Sequence, residues 1–299
     1  MRGLAAGINR GAASAASMGG GQWRAGAGAA LLAAPLLLTL FALLIWPLVV
    51  LALRSLGAPE GVGVSVTTYL AVLREPRYWR VLGNTALLAL VSTIGALALC
   101  TPAAIYLEWQ RGRLSRALAV LLTIPLSLPG IVIGFFVILL FGRTGVVVSL
   151  AGALLGERPP PLAYNFWGLL VGYIYFQIPR VVLVLRGAVA TIEPDTLDAA
   201  RTLGAPPWRV YTAVILPVLR PALLGAASLS MATAFGAFGT AATLSRGYRV
   251  VPLEIAAAFT ERFEPQLAAT LSLLLALFTT VLLWTMGRLG APRRTEQRR

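Results

Sequence analysis

The sequence predicts an all-α, polytopic membrane protein with six transmembrane helices, and three observations predict it. Of 299 residues, 58% are apolar and 12% charged, whereas a soluble protein of this length needs roughly a quarter charged residues to cover its surface. Cutting the chain at its charges leaves six stretches of about 20 residues or more without a formal charge. At about 1.5 Å per residue, each can cross a hydrocarbon core of about 30 Å. Runs such as Leu271 to Leu283 are apolar on every face, which excludes the alternation of a barrel strand, about ten residues long.

Taken in order, residues 1–24 carry Arg2, Arg10 and Arg24 and no acid. They are expected to form a disordered cytoplasmic tail, because the apolar run that follows is too long for a signal peptide. Within a six-helix domain at 25–290, the spans are expected near 28–53, 83–107, 117–141, 162–184, 221–245 and 266–287. Pro125, Pro129 and Gly130 should bend or interrupt the third. Gly225, Gly236 and Gly239 permit close packing or a bend in the fifth. Residues 291–299 form a basic cytoplasmic tail.

Orientation follows from the arginines. The two tails, the second-to-third loop and the fourth-to-fifth segment hold 16 of them, against 9 in the alternate loops. The positive-inside rule therefore puts both termini in the cytoplasm.

Absences narrow the chemistry. All 25 basic residues are arginine, and histidine is missing, which removes the P-loop lysine, the Ser-His-Asp triad and histidine metal sites. No catalytic residue, metal site or cofactor is expected. Cys100 lies among apolar neighbours and is expected to be a packing residue. The formal charge of +14 lies between apolar runs, so it marks topology and not a nucleic-acid partner.

The segment 186–220 is the longest inner connection and mixes acids with arginines. Glu193, Asp195 and Asp198 load the start of a helix whose first turn suits Pro194. That helix should stop at Gly204, which tolerates a left-handed helix end. Pro206 and Pro207 open a second helix with Trp208, Tyr211 and Ile215 on one face, and Pro217 and Pro221 re-aim the chain into the fifth span. The product is a helix, a glycine elbow and a helix at the membrane surface.

The string Asp198-Ala199-Ala200, three residues, Gly204, nine residues, then Val214-Ile215-Leu216-Pro217 closely resembles the EAA loop of permease subunits of binding-protein-dependent, type I ABC importers. Asp198 stands where that pattern has Glu, and Val214 where it has Ile. The resemblance implies the type I importer permease fold in a bacterial inner membrane, with the loop acting as a coupling helix against a separate ATPase. The residues that carry over are Glu193, Asp198, Ala199, Ala200, Gly204, Leu216 and Pro217. The partners implied are an ATPase dimer, a second permease chain and a periplasmic binding protein. Tyr69, Tyr78-Trp79-Arg80, Leu82-Gly83-Asn84-Thr85 and Pro252-Leu253-Glu254-Ile255 resemble the polyamine, iron, thiamine and sulfate branch, which implies a polyamine-like solute.

No charge lies deep in a span, which excludes a proton pump built on intramembrane carboxylates. Asn84, Asn165, Gln177, Ser228, Ser230, Thr233, Gly236 and Gly239 are the candidate pathway residues, with the fifth span as the main lining. The outer-loop charges, among them Arg246, Arg249, Glu254, Glu261, Arg262 and Glu264, are candidates for meeting a binding protein or simply solvated. A secondary carrier or channel independent of ATP is the rival class, although no internal repeat is evident. A membrane enzyme is the third option.

Overall fold

A computed structural model of the chain describes residues 32–57, 65–110, 112–157 and 159–290. The two tails expected at 1–24 and 291–299 lie outside these residues. Twelve helices are described: α1 (Leu32–Ser55), α2 (Thr67–Arg74), α3 (Pro76–Trp109), α4 (Arg113–Thr123), α5 (Gly130–Phe141), α6 (Val146–Leu155), α7 (Phe166–Val189), α8 (Pro194–Thr202), α9 (Pro207–Phe235), α10 (Phe238–Leu244), α11 (Val251–Thr260) and α12 (Pro265–Gly290). Six apolar stretches are long enough to cross a membrane: α1, α3, Gly130–Leu155, α7, α9 and α12.

The first, second, fourth and sixth expected spans fall on α1, α3, α7 and α12, with ends that differ by several residues. The third differs. The chain from Arg113 leaves α-geometry at Thr123, makes a 3-10 turn over Ile124–Ser127 and runs extended through Leu128 and Pro129 before α5 begins. Pro125 and Pro129 cannot donate backbone bonds, so the helix breaks there outright. The apolar stretch then continues past Phe141 into α6, interrupted at Gly142–Gly145.

The fifth span is shifted toward the N-terminus. The expected 221–245 becomes a helix from Pro207 to Phe235, ending at Gly236, with α10 as a separate short helix after Ala237. The second helix of the elbow is thus continuous with the span. A π-turn over Tyr211–Ile215 makes this possible: the Leu216 amide donates to the Tyr211 carbonyl, one residue further back than in an α-helix, just ahead of Pro217. The same device recurs in α1, where a π-turn over Phe41–Ile45 precedes Trp46-Pro47. A proline inside a helix lacks a donor and crowds the carbonyl four residues back, and a wider turn relieves both problems. Pro217 therefore does not re-aim the chain; it is absorbed.

The bundle is built around α3, α7 and α9. On α3 the residues Thr85, Ala89, Thr93, Ala96, Cys100 and Ala104 recur every three or four positions and are buried. Small side chains let helix backbones approach closely, which stands in for the missing hydrophobic drive inside lipid. One apolar cluster joins Leu88, Ala89, Leu169, Tyr173, Met231 and Phe235; a second joins Ala96, Cys100, Ala104, Val181, Leu185 and Ala226. Cys100 is a packing residue of the second.

Between the two clusters lies a polar layer. Ser92, Thr93, Gln177 and Ser230 are all buried, and the Gln177 amide donates to Ser92 Oγ at 2.9 Å. Helix α5 docks on α10 through glycine: Thr240 Oγ1 donates to the Gly130 carbonyl at 3.1 Å, and a Cβ on Gly239 would lie 3.0 Å from the Ile131 amide. Helix α1 contacts the rest mainly through its last turns on α12, and most of its large side chains are exposed.

Candidate functional site

The helix-elbow-helix forms as its residues dictate. Helix α8 starts at Pro194, with Glu193 extended at its N-cap and Asp195 in the first turn, where negative charge complements the helix dipole. Its end is closed by two bonds: the Gly204 amide donates to the Arg201 carbonyl at 2.9 Å, and the Ala205 amide to the Ala200 carbonyl at 3.1 Å. This pair is the Schellman arrangement, which needs a left-handed residue at the turn. Gly204 supplies it with φ +75°, and nothing lies within 4 Å of where its Cβ would be. Glycine is required here by backbone conformation and not by crowding.

The elbow is anchored from below. Ile105 of α3, Val189 and Ile192 at the end of α7, Leu197 of α8, and Val210, Ile215 and Leu219 of α9 form one buried cluster, with Ala200 and Ala205 packed against it. At the same end of the bundle, Arg186 Nε donates to Glu108 Oε2 at 3.1 Å, tying α7 to α3. Displacement of α8 therefore loads the ends of three long helices at once.

The other face of the elbow is open. Asp198 and Ala199 are exposed, and among the described residues Asp198 forms an ion pair only with its neighbour Arg201, at 3.1 Å on the surface. Leu203 is 87% exposed and Trp208 64%. Two large apolar side chains are thus exposed beside a short helix that carries Asp195 and Asp198. Of the sequence-derived set, Glu193, Asp198, Ala199, Gly204, Leu216 and Pro217 are exposed and Ala200 is half-buried against its own chain. Trp208 faces outward while Tyr211 and Ile215 face inward, so the three do not share a face.

The polar residues proposed for a pathway are dispersed. Asn165 is the N-cap of α7, accepting from the Trp167 and Gly168 amides at 2.9 and 3.4 Å. Asn84 donates to the Arg249 carbonyl at 3.1 Å and its own carbonyl accepts from Tyr248 at 3.0 Å, which ties α3 to the last loop. Gln177 and Ser230 belong to the buried layer, and Gly239 to the α5–α10 contact. Ser228 and Thr233 are half-buried and bond their own helix backbone, and Gly236 is exposed where α9 ends. These last three lie along the part of α9 that the chain's own bundle covers only in part.

At the end opposite the elbow, Glu254 is 1% exposed and receives three arginines: Arg77 at 2.7 Å, Arg262 at 2.9 Å and Arg249 at 3.2 Å. Burial pushes its carboxyl up, but the hydrogen bond from Arg262, the charge of Arg77 and the bond from Arg249 outweigh that and hold it below the usual carboxylate range. Sequence inspection grouped Arg249, Glu254 and Arg262 among the outer-loop charges and left out Arg77; 177 positions separate Arg77 from Glu254, and no local pattern pairs them.

Six stretches long and apolar enough to cross a membrane, with an elbow braced on three of them, describe a membrane-embedded subunit; Arg180 lies inside α7, where it donates to the Phe176 carbonyl. Residues 100–291 match the family described as binding-protein-dependent transport system inner membrane component. The chain belongs to that family: it is a multi-pass inner-membrane permease subunit of a binding-protein-dependent ABC importer. It is 32% identical over 226 residues to the molybdenum transport system permease protein ModB of Mycobacterium tuberculosis, covering 71% of this chain and 83% of that one. It is 29% identical to the thiamine transport system permease protein ThiP of Brucella suis, over 84% of this chain and 48% of that longer one. Sulfate permease 2 of the Chlamydomonas reinhardtii chloroplast is 28% identical over 78% and 63%. The fold matches the bacterial ABC transporter that imports alginate, with TM-score 0.77 at 16% identity, over 92% of this chain and 99% of that one. The methionine transporter MetNI matches with TM-score 0.57 at 17% identity, over 72% and 97%.

Proposed function

We propose that residues 193–217 couple this permease to a cytoplasmic ATPase carried on separate chains, with both termini on that same side. The observation that carries the proposal is the elbow's two-sidedness: Leu197, Ala200 and Ala205 brace it on α3, α7 and α9, while Asp198, Ala199, Leu203 and Trp208 stand free. ATP-driven closure of the motor would move α8 and, through the cluster below it, the three long helices. A second permease chain completes the pathway against the partly covered side of α9 near Ser228, Thr233 and Gly236, and a periplasmic binding protein loads it. The chain itself catalyses nothing; it converts motion into access.

The relatives are named for molybdenum, thiamine and sulfate. Molybdenum and sulfate point to a small inorganic solute, whereas thiamine is an organic cation, and none of the three is the polyamine-like solute expected from the sequence. Reconstitution with the ATPase, the second permease and the binding protein tests the coupling. Asp198→Leu with Gly204→Val should abolish uptake while the protein still inserts, and normal uptake by that variant refutes the role.

A further inference from the structure

A groove lies between α2, α3, α11 and α12, away from the elbow. It holds about 370 Å³ and is walled by apolar side chains that include Val72, Trp79, Leu82, Leu274 and Phe278. Along α12 its wall runs from Leu271 to Val281, an advance of about 15 Å, or half of a hydrocarbon core of about 30 Å. The slot is one leaflet deep. That is the reach of an acyl chain, and a crossing helix would extend beyond it.

The rim is chemically distinct. Tyr78 and Glu254 line it, and Glu254 is covered by the guanidiniums of Arg77, Arg249 and Arg262. Arg262 also meets Glu264 at 3.4 Å, so three guanidiniums face two carboxylates and one positive charge is left over. Arg77 is 42% exposed and Arg249 58%, and each keeps donors that Glu254 does not use. Tyr78 and Trp79 stand beside them, at the level where aromatic rings sit among headgroups.

We propose that this groove binds an anionic phospholipid, one acyl chain lying along Leu271 to Val281 and the phosphate accepting bonds from Arg77 and Arg249. Charge complementarity chooses an anionic headgroup, because a zwitterionic one brings its own cation to a site already one positive charge in excess. The length of the slot matches a lipid tail, and crosslinking at Leu274 separates that occupant from a helix of the second permease.

Native mass spectrometry of the purified full chain, exchanged into phosphatidylglycerol or phosphatidylcholine of equal chain length, tests the site. Phosphatidylglycerol should be retained about tenfold better, because phosphatidylcholine offers the same phosphate together with a cation that the excess positive charge repels. Arg77→Gln with Arg249→Gln should bring that ratio to about one. Leu274→Trp, which fills the groove and leaves the arginines, should lower retention of both lipids. Equal retention of the two lipids by the unaltered chain, a preference that survives both arginine changes, or retention untouched by Leu274→Trp would each overturn the proposal. So would a photocrosslinker at Leu274 that captures the second permease in the assembled complex.

Discussion

The amide of Ala205 donates to the carbonyl of Ala200 at 3.1 Å, and this bond closes the elbow while pressing both alanines onto the cluster beneath. The left-handed turn between them makes a prediction. Gly204→Ala should cost about 1 kcal/mol although space is free around it, and Gly204→Asn, which tolerates φ > 0, should cost less. Chemical denaturation of the purified subunit, with uptake measured alongside, checks the order Gly, Asn, Ala.

Gly134 of α5 meets Thr243 of α10 so closely that a Cβ on Gly134 would overlap the threonine hydroxyl. Gly134→Ala should therefore destabilise by about 1–3 kcal/mol through overpacking. Adding Thr243→Ala should recover part of that loss, a coupling that a double-mutant cycle measures. Purely additive effects would place the strain elsewhere.

Glu254 supplies a pH dependence. Its carboxyl titrates lower in the folded chain than the ordinary 4.5, so its stabilisation is fully present above about pH 4.5 and is lost as pH falls through the lower folded value. Thermal stability should be insensitive to this group from pH 5 to 8. Glu254→Gln should lose about 2–3 kcal/mol at neutral pH, less than a wholly enclosed ion pair, because its arginines are 27–58% exposed. That variant should also lose the acid-dependent part of the melting curve.

Gln177 separates a pathway from a packing role. It is 0% exposed, its amide reaches Ser92, and its carbonyl oxygen has no partner. Gln177→Leu removes a buried group that is only half satisfied, so stability should change by less than about 1 kcal/mol. Uptake should persist. Loss of uptake in a stable Gln177→Leu variant would put this residue on the pathway after all.

These positions also mark how far the sequence alone reaches. Hydropathy fixes the number of spans because lipid imposes one length on every crossing, and Gly204 is legible because its backbone conformation admits few residues. Proline is legible where it starts or breaks a helix, as at Pro194, Pro207 and Pro125, but not where a wider turn absorbs it. Cutting at Arg220 starts the fifth span late, since a π-turn that absorbs Pro217 leaves no signature in composition. The side to which a polar residue points is equally hidden: Asn165 and Gln177 are alike in hydropathy, yet one caps a helix and the other is sealed in the core. Pairings such as Arg77 with Glu254 arise only once α3 and α11 are packed.

The coupling role is tested most directly by disulfide trapping in the assembled importer, after Cys100→Ala removes the one native thiol. Ala199→Cys stands on the exposed side of α8 and Ala200→Cys on the side packed against the bundle. Trapping of Ala199→Cys with cysteines in the ATPase surface, several-fold above Ala200→Cys and changing on ATP binding, is the predicted result. Equal trapping at both positions, or none from Ala199→Cys with a motor that still hydrolyses ATP, would contradict it.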